Sequence, residues 1–245
     1  MTYCVGIRVR EGLAMIADTR TNAGVDDISI YRKLRVFGND GKRLIVIASA
    51  GSLSTTQAAL QRLARGVLNP ETGEAETLEN VDDIFSAALA AGRAIRASRD
   101  AMAGLQQDDI SYDTTFLVGG SIGGEPTRLF LVYPQGNAIE CQPDTPYLQI
   151  GENKYGKPIL DRSLRYDTPL SEALKVALIS FDSAMRSNLA IGLPIDMVAA
   201  RDGMCSAEIE RRIDEDDAYF HDLSSRWSVA LAHARAAIPD PPYWA

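Results

Sequence analysis

The chain has 245 residues and a formal net charge of −8, with 46% hydrophobic and 24% charged residues, a composition that is typical of a globular protein and excludes a disordered one. The excess of acidic residues argues against non-specific nucleic-acid binding, which requires clustered Lys and Arg. No apolar run approaches the roughly 20 residues that span a bilayer, and the first residues lack the pattern of a signal peptide.

Cysteine and histidine are both scarce. Cys4, Cys141 and Cys205 are odd in number and widely spaced, which favours a reducing compartment. We therefore expect a cytoplasmic protein. The only two histidines, His221 and His233, argue against a histidine-rich metal site, and we expect neither a metal nor another cofactor. If the protein is a hydrolase, its base near pH 7 must come from another group.

The first half of the chain predicts strands followed by two helices. Tyr3, Val5, Ile7 and Val9 alternate with Thr2, Cys4, Gly6 and Arg8, which predicts a strand with one apolar face. Apolar runs bounded by turn residues predict further strands at Leu13–Ala17, Lys33–Phe37 and Arg43–Ser49. Apolar spacing and an alanine-rich composition predict helices at Ser52–Leu68 and Val81–Gln107.

The second half predicts a further block of strands, then helices separated by a strand pair. The strands of the block are Thr114–Gly119, Arg128–Tyr133, Ala138–Cys141 and Tyr147–Ile150. Thr168 as N-cap and Pro169 as first residue predict a helix that runs to Asn188. The strand pair is Ile195–Ala200 with Glu208–Ile213, and a last helix begins at the acidic run Asp214–Asp217.

This order of elements indicates an α+β protein, because the strands do not alternate one for one with helices as they do in a doubly wound parallel sheet. Two antiparallel sheets covered by pairs of helices fit the order better. The chain has no internal repeat, low-complexity tract or linker that would divide it, so we expect one domain over residues 1–245.

Thr2 is the conspicuous candidate for chemistry. If Met1 is removed, Thr2 carries both a hydroxyl and a free α-amine, whose ordinary pKa of about 7.7–8.0 suits a general base. Threonine activated by its own amine is a known nucleophile arrangement. Asp18 ends the next apolar run and Lys33 begins a later strand. A lysine near the hydroxyl would lower its pKa, and an aspartate would orient that lysine. The alternative is that both are ordinary charges at strand ends.

Several segments together resemble the proteasome β-type subunits, and in particular the bacterial Anbu (ancestral β subunit) branch of that family. In the N-terminal half they are Thr2–Ile7, Asp18–Gly24, Lys33 and Ser49–Gly51. In the C-terminal half they are Met185–Leu189, Gly192–Asp196, Arg211–Ile213, Tyr219-Phe220 and Trp227. The resemblance covers essentially the whole chain.

The resemblance implies a four-layer α-β-β-α sandwich, the N-terminal-nucleophile (Ntn) hydrolase fold, and a threonine peptidase or amidase. It implies Thr2 as the nucleophile and Asp18 and Lys33 as its tuning partners. It implies that the Gly51 backbone N–H stabilises the oxyanion, where the alternative is a plain strand-to-helix turn. It also implies that substrate lies along Thr21 and Asn22 as an added strand. Thr21, Ser49 and Leu53 would line the pocket for the residue before the cleaved bond.

The sequence departs from the family pattern around this centre. Where proteasome subunits carry a Gly-Ser-Gly turn, the best match here is Gly151-Glu152-Asn153, and an Asp-x-x-Ser-Gly segment is replaced by Ser187-Asn188-Leu189-Ala190-Ile191-Gly192. We therefore place Glu152, Ser187 and Asn188 in an altered supporting shell, which can set whether a site is productive.

Other signals are weaker. Gly119-Gly120-Ser121-Ile122-Gly123 matches the G-x-S-x-G nucleophile elbow, but a strand follows it where a helix is required, which indicates a hairpin. Cys4 could be a reactive thiol, although a small buried residue beside the site is the simpler interpretation. The run Asp214–Asp217 could bind a divalent cation, but a cluster of charge at a helix N-terminus explains it better.

Two functions follow from these residues. The first is a threonine hydrolase that acts on a peptide or related amide bond. The second is an assembly or peptide-binding subunit whose hydrolase site is vestigial or very slow. By the family resemblance, both would assemble with copies of themselves into an open, lock-washer-like spiral, without nucleic acid or membrane as partners.

Overall fold

The computed structural model describes residues 2–22, 28–102 and 111–243, and of residues 22 and 28 it describes the backbone alone. Two five-stranded antiparallel sheets form its centre. From edge to edge, the first sheet consists of β12 (Tyr147–Gly151), β1 (Tyr3–Val9), β2 (Gly12–Asp18), β13 (Ile195–Arg201) and β14 (Ile209–Ile213). The second consists of β11 (Ala138–Glu140), β10 (Arg128–Val132), β9 (Thr114–Ile122), β6 (Arg43–Gly51) and β5 (Leu34–Gly38).

Helices cover the outer face of each sheet. The second sheet is covered by α1 (Leu53–Arg65) and α2 (Ile84–Met102), and the first by α3 (Lys157–Ser163), α4 (Leu170–Ser187) and α5 (Ala218–Ala236). The described residues also form two short two-stranded sheets. One pairs β3 (Arg20–Asn22) with β4 (Ile28–Ile30), and the other pairs β7 (Val67–Leu68) with β8 (Ala75–Glu76). None of the described helices is both long enough and apolar enough to span a membrane.

Three hydrophobic clusters define four layers. One cluster joins the first sheet to its helices and includes Tyr3 and Phe181. A second joins the other sheet to α1 and α2 and includes Phe116. The third lies between the two sheets and includes Met15 and Leu117. The order helix–sheet–sheet–helix confirms the predicted α-β-β-α sandwich, and burial of these apolar faces is the main force that holds the layers together.

The alternation in the first strand is confirmed. Tyr3, Val5, Ile7 and Val9 pack toward the helices, whereas Cys4 lies in the cluster between the sheets. The segment around Ser121 is also as predicted, since β9 runs through Ser121 and joins β10 as a hairpin. It therefore cannot be a nucleophile elbow, which requires a helix after the serine.

The ends of some helices differ from the prediction. The non-helical cap of α4 is Pro169, with ψ of 142°, and the Thr168 hydroxyl instead accepts a hydrogen bond from the Arg165 N–H in the preceding turn. The first predicted helix ends at Arg65, because Gly66 has φ of 100° and terminates it. The second is described through Met102, and residues 103–107 of the prediction lie outside the described residues. Helix α3 was not predicted.

Helix α5 extends beyond the helix on which it packs. Asp182 and Arg186 of α4 form hydrogen bonds with Ser224 and Ser228 of α5, which mark where the two helices meet. The hydrogen bonds between these helices in the described structure reach no further than Ser228, and residues 228–243 are all exposed. The last eight residues of α5 span about 12 Å.

Candidate active site

One end of the two sheets brings the predicted residues together. Here β1, β5 and β9 begin and β2, β6 and β12 end. A cavity of about 380 Å³ opens at this point. It is lined by Thr2, Thr21, Tyr31, Lys33, Ser49, Ala50, Gly51, Leu53, Thr56 and Gly151. Its size is in the range of small-ligand sites.

The backbone of Thr2 is clamped by the end of β12. Tyr3 pairs with Gly151, and the Thr2 carbonyl accepts a hydrogen bond of 2.6 Å from the Glu152 N–H. Gly151 has φ of 82°, and a Cβ at this position would overlap the Thr2 carbonyl. A glycine is therefore required for β12 to approach Thr2 so closely. Thr2 is half-buried with its side chain on the cavity.

Asp18 and Lys33 form a buried ion pair beside Thr2. The Lys33 Nζ donates to Asp18 Oδ1 at 2.8 Å and to the Arg20 carbonyl at 2.5 Å. The exposed fraction is 5% for the Lys33 side chain and 0% for Asp18. The Tyr3 N–H donates to the same Asp18 oxygen at 2.9 Å. Asp18 thus ties the lysine to the peptide that follows Thr2.

Burial raises the pKa of Asp18 above its ordinary value, although the Lys33 ammonium and the Tyr3 N–H oppose the shift. The second carboxylate oxygen, Oδ2, is buried and has no hydrogen-bond partner in the described structure. The hydrogen bonds from Lys33 and Tyr3 thus both fall on Oδ1, and the Arg20 backbone N–H also acts to lower the pKa of this carboxyl.

The Gly51 N–H is directed at the cavity, as the register of β6 indicates. The Ser49 N–H donates to the Lys33 carbonyl at 3.1 Å, so it points toward β5. Backbone N–H groups two residues apart in a strand point the same way. The Gly51 N–H therefore also points toward β5, which begins only at Leu34 and leaves this position uncovered.

Gly51 also has a conformation that other residues adopt rarely. Its φ is 112°, and a Cβ would overlap the carbonyl oxygen of Asp113 at the start of β9. The Ser52 N–H donates to the same oxygen at 2.8 Å. Ser52 then caps α1, where its side chain accepts from the Thr55 N–H. The junction between β6 and α1 is thus held by the Asp113 carbonyl and by the Ser52 cap.

Of the four residues predicted to contact substrate, three line the cavity, and the side chain of the fourth, Asn22, lies outside the described residues. Thr21, Ser49 and Leu53 line the cavity, and their contact with substrate stays a prediction. Thr21 lies in β3, which pairs with β4 on one side. The backbone of Asn22 continues β3, and its side chain lies outside the described residues.

Sequence reasoning missed other cavity residues. Thr56 follows Leu53 by three positions in α1, so helical periodicity could have placed both on one face. Tyr31 lies between β4 and β5 in a segment without a local pattern.

Of the residues predicted to form an altered supporting shell, Glu152 and Asn188 contact each other. The Glu152 side chain is buried, and its carboxylate accepts hydrogen bonds from the Lys154 N–H and from Asn188 Nδ2, the latter at 3.1 Å. Burial alone would raise the pKa of Glu152, but these donors lower it below the ordinary value. A carboxylate bonded to Asn188 thus follows directly after the glycine that contacts Thr2. Ser187 is exposed at the end of α4.

The weaker candidates have structural roles. Burial and the nearby Asp18 raise the pKa of the Cys4 thiol, which therefore stays protonated, and its sulfur lies 3.6 Å from the Ser49 carbonyl. Asp217 caps α5 by accepting from the Phe220 N–H. In the described parts of the chain, no three His, Cys, Asp or Glu side chains are close enough together to hold a metal ion.

Comparison with known proteins finds similarity to proteasome β subunits and to Anbu proteins. No protein-family model matches the chain. The chain is 30% identical over 196 residues to proteasome subunit beta 2 of Pyrobaculum arsenaticum, which covers 79% of this chain and 86% of the relative. The solved structure of Anbu (ancestral beta-subunit) from Yersinia bercovieri has a TM-score of 0.88 and 46% identity over 98% of both chains. A structure of the helical assembly of the Anbu complex from Pseudomonas aeruginosa has a TM-score of 0.87 and 42% identity, again over 98% of both chains.

Proposed function

The chain belongs to the Anbu group of the proteasome β-subunit family, and from this premise we propose that it is a self-assembling threonine hydrolase that cleaves peptide or related amide bonds. Removal of Met1 frees the α-amine of Thr2. Thr2 Oγ then attacks the substrate carbonyl, and the amine takes the hydroxyl proton. The Gly51 N–H stabilises the oxyanion. The amine returns the proton to the leaving nitrogen, and water hydrolyses the resulting ester.

The observation that carries this proposal is the buried Asp18–Lys33 pair on the cavity that Thr2 lines. A buried ion pair costs desolvation free energy and is a poor source of stability. A functional role explains its position better: the Lys33 cation favours the alkoxide form of Thr2 and so lowers the pKa of the hydroxyl. Asp18 orients the lysine and the Thr2–Tyr3 backbone together.

The substrate would enter as a peptide strand beside β3, with Thr21 opposite its backbone. The cavity would take the side chain that precedes the cleaved bond, and Ser49 and Leu53 would contact it. Strand addition supplies main-chain hydrogen bonds that do not depend on side-chain identity, whereas the cavity provides selectivity.

A covalent probe tests the proposal. The purified protein is treated with a β-lactone and its intact mass is measured. We expect a chain that lacks Met1 and carries one adduct on Thr2. Thr2→Ser keeps a nucleophile and should still react, whereas Thr2→Ala should not. A wild-type chain that has lost Met1 and gains no adduct would contradict the proposal.

A second candidate function is an assembly or peptide-binding subunit with a vestigial or very slow site. The observation that favours it is the carboxylate of Glu152, held by Asn188, at the place where the family pattern has a Gly-Ser-Gly turn. Under this alternative, Thr2→Ala should assemble normally and support the cellular role as well as the wild type. A clear loss of phenotype would exclude it.

Self-assembly is the partner interaction that we propose. The Pseudomonas aeruginosa relative is described as a helical assembly of the Anbu complex. We expect this chain also to form an open spiral of identical subunits. Analytical ultracentrifugation at micromolar concentration should give a mass of several subunits, and a monomer would contradict the expectation.

A further inference from the structure

Two buried threonines connect to the backbone of β6 beside the cavity: Thr56, which lines the cavity, and Thr114, which does not. Thr114 Oγ1 donates to the Ala50 carbonyl at 3.1 Å, and Thr56 Oγ1 lies 2.7 Å from Thr114 Oγ1. The exposed fractions are 1% for Thr114 and 3% for Thr56. The pair connects α1, β9 and the last residues of β6.

The direction of this hydrogen-bond chain follows from its donors. A threonine hydroxyl has one proton, and that of Thr114 is given to the Ala50 carbonyl. The 2.7 Å contact therefore has Thr56 as donor and Thr114 as acceptor. Thr56 thus fixes the rotation of the Thr114 hydroxyl, and Thr114 fixes the carbonyl.

The Ala50 carbonyl belongs to the same peptide unit as the Gly51 N–H. Because the peptide is planar and trans, a donor that fixes the carbonyl also fixes the direction of the N–H on the opposite side. Hydrogen bonds to a carbonyl also polarise the peptide and make its N–H a stronger donor. Thr114 therefore acts on the cavity without lining it, and Thr56, which lines the cavity, acts on the peptide through Thr114.

Simple packing does not explain the two hydroxyls. Thr114 faces the helix layer, as do Phe116 and Val118 two and four positions further along β9. At such a position valine has nearly the same shape and carries no polar group to desolvate. The hydroxyls are instead placed where both serve the Ala50–Gly51 peptide.

We propose that Thr114, oriented by Thr56, is a positioning residue that holds the Gly51 N–H in the direction needed to stabilise the oxyanion. This inference rests on the proposed hydrolase function. Gly51 alone has no side chain to fix its peptide, and its φ of 112° lies in a region that glycine populates freely. Pairing of β6 with β9 holds the backbone here, and the threonine pair adds a side-chain restraint on the Ala50 carbonyl.

The test compares Thr114→Val, which removes the hydroxyl, with Thr114→Ser, which keeps it. The β-lactone acylation rate is measured as a function of probe concentration. For Thr114→Val we expect the maximal acylation rate to fall about tenfold, less than the roughly 100- to 1,000-fold loss typical of deleting an oxyanion donor. The half-saturating concentration should stay within twofold of wild type, and Thr114→Ser should restore the rate.

A matched control separates positioning from stability. Thr127→Val removes another buried threonine hydroxyl, which accepts from the Gly203 N–H at the opposite end of the sheets. It should lower the melting temperature without changing the acylation rate. If Thr114→Val folds poorly, Thr56→Val removes the other hydroxyl and should give a smaller fall in the maximal acylation rate. Because Thr56 also lines the cavity, an unchanged half-saturating probe concentration is required for this variant to support the inference.

Crystal structures of the same variants decide the inference independently of activity. In Thr114→Val the Ala50–Gly51 peptide should rotate or lose order relative to its neighbours, and in Thr114→Ser it should not. An unchanged peptide with an unchanged acylation rate would overturn the inference. If even the wild type fails to react while the peptide rotates in Thr114→Val, the hydrolase proposal fails but the positioning effect stands.

Discussion

A single oxygen of Asp18 holds both the lysine and the backbone next to the proposed nucleophile. Oδ1 accepts from Lys33 Nζ at 2.8 Å and from the Tyr3 N–H at 2.9 Å. Oδ2 is buried and has no hydrogen-bond partner in the described residues, so the bonds that position Lys33 and Tyr3 both rely on Oδ1. The lysine beside Thr2 and the Tyr3 N–H therefore depend on Asp18, while β12 holds the Thr2 carbonyl.

Asp18→Asn tests this dependence. The amide oxygen can still accept hydrogen bonds, but the Lys33 ammonium is left buried without a counter-charge. We expect the free energy of unfolding in urea to fall by about 3–5 kcal/mol, as for other broken buried pairs, and the β-lactone adduct to disappear.

The matched control is Asp222→Asn. Asp222 pairs with Arg226 at 2.6 Å on the surface of α5, with exposed fractions of 54% and 79%. Exposed pairs contribute little because water and salt screen them. Equal destabilisation by both substitutions would show that the Asp18–Lys33 pair has no special role.

Most of the proposed reactive residues could be predicted from the sequence, whereas their surroundings could not. Thr2, Asp18, Lys33 and Gly51 lie at the ends of predicted strands, and strand ends converge at a sheet edge. Tyr31 reaches the same cavity from an irregular segment. Its position depends on packing between the sheets, which local periodicity does not report.

At the scale of elements, the junction of β6 and α1 is the most restrictive part of the site. Gly51 combines a positive φ with contact to the Asp113 carbonyl, so any side chain there meets both backbone strain and steric overlap. The junction must adopt this shape to turn the chain from the sheet into the helix while the Gly51 N–H faces the cavity.

Gly51→Ala should therefore abolish the β-lactone adduct and lower the melting temperature. Gly41→Ala is the control, because Gly41 has φ of 82° but the described structure leaves open space around the position that an alanine methyl group would take. Both substitutions carry backbone strain, of order 1–3 kcal/mol. Only Gly51→Ala adds overlap and should affect reactivity. Equal melting temperatures and retained labelling would contradict this interpretation.

Regular elements were easier to predict than their ends. The alternation of β1 has a strong period, and it is confirmed by the clusters on its two faces. Thr168 has a good capping side chain, but its hydroxyl is used by the Arg165 N–H in the turn before α4. Helix α3 has seven residues with Pro158 at its start, too short for a periodic signal.

At the scale of the whole molecule, the layer order follows from the order of elements because two blocks of strands and two groups of helices have few ways to bury their apolar faces. How the two sheets align with each other could not be predicted from the sequence. It places Gly151 against Thr2 and Thr114 behind Gly51, pairs that are far apart along the chain. Such contacts are tertiary, and only the folded molecule specifies them.

The unsupported end of α5 gives a prediction at this scale. Short helices without tertiary contacts are marginal in water, and amides open locally with free energies that depend on their packing. In chains diluted until they are monomeric, hydrogen exchange should be faster at residues 229–236 than at residues 218–227. Equal protection in the monomer would contradict the prediction.

The same helix end has a consequence for experiments on assembly. Residues 229–243 are all exposed in the described chain, including Ile238 with 71% and Tyr243 with 90% exposed. Any slow exchange that these amides gain on concentration must therefore come from another subunit. Hydrogen exchange at the end of α5 therefore reports subunit association. The measurement needs no attached probe and no catalytic activity.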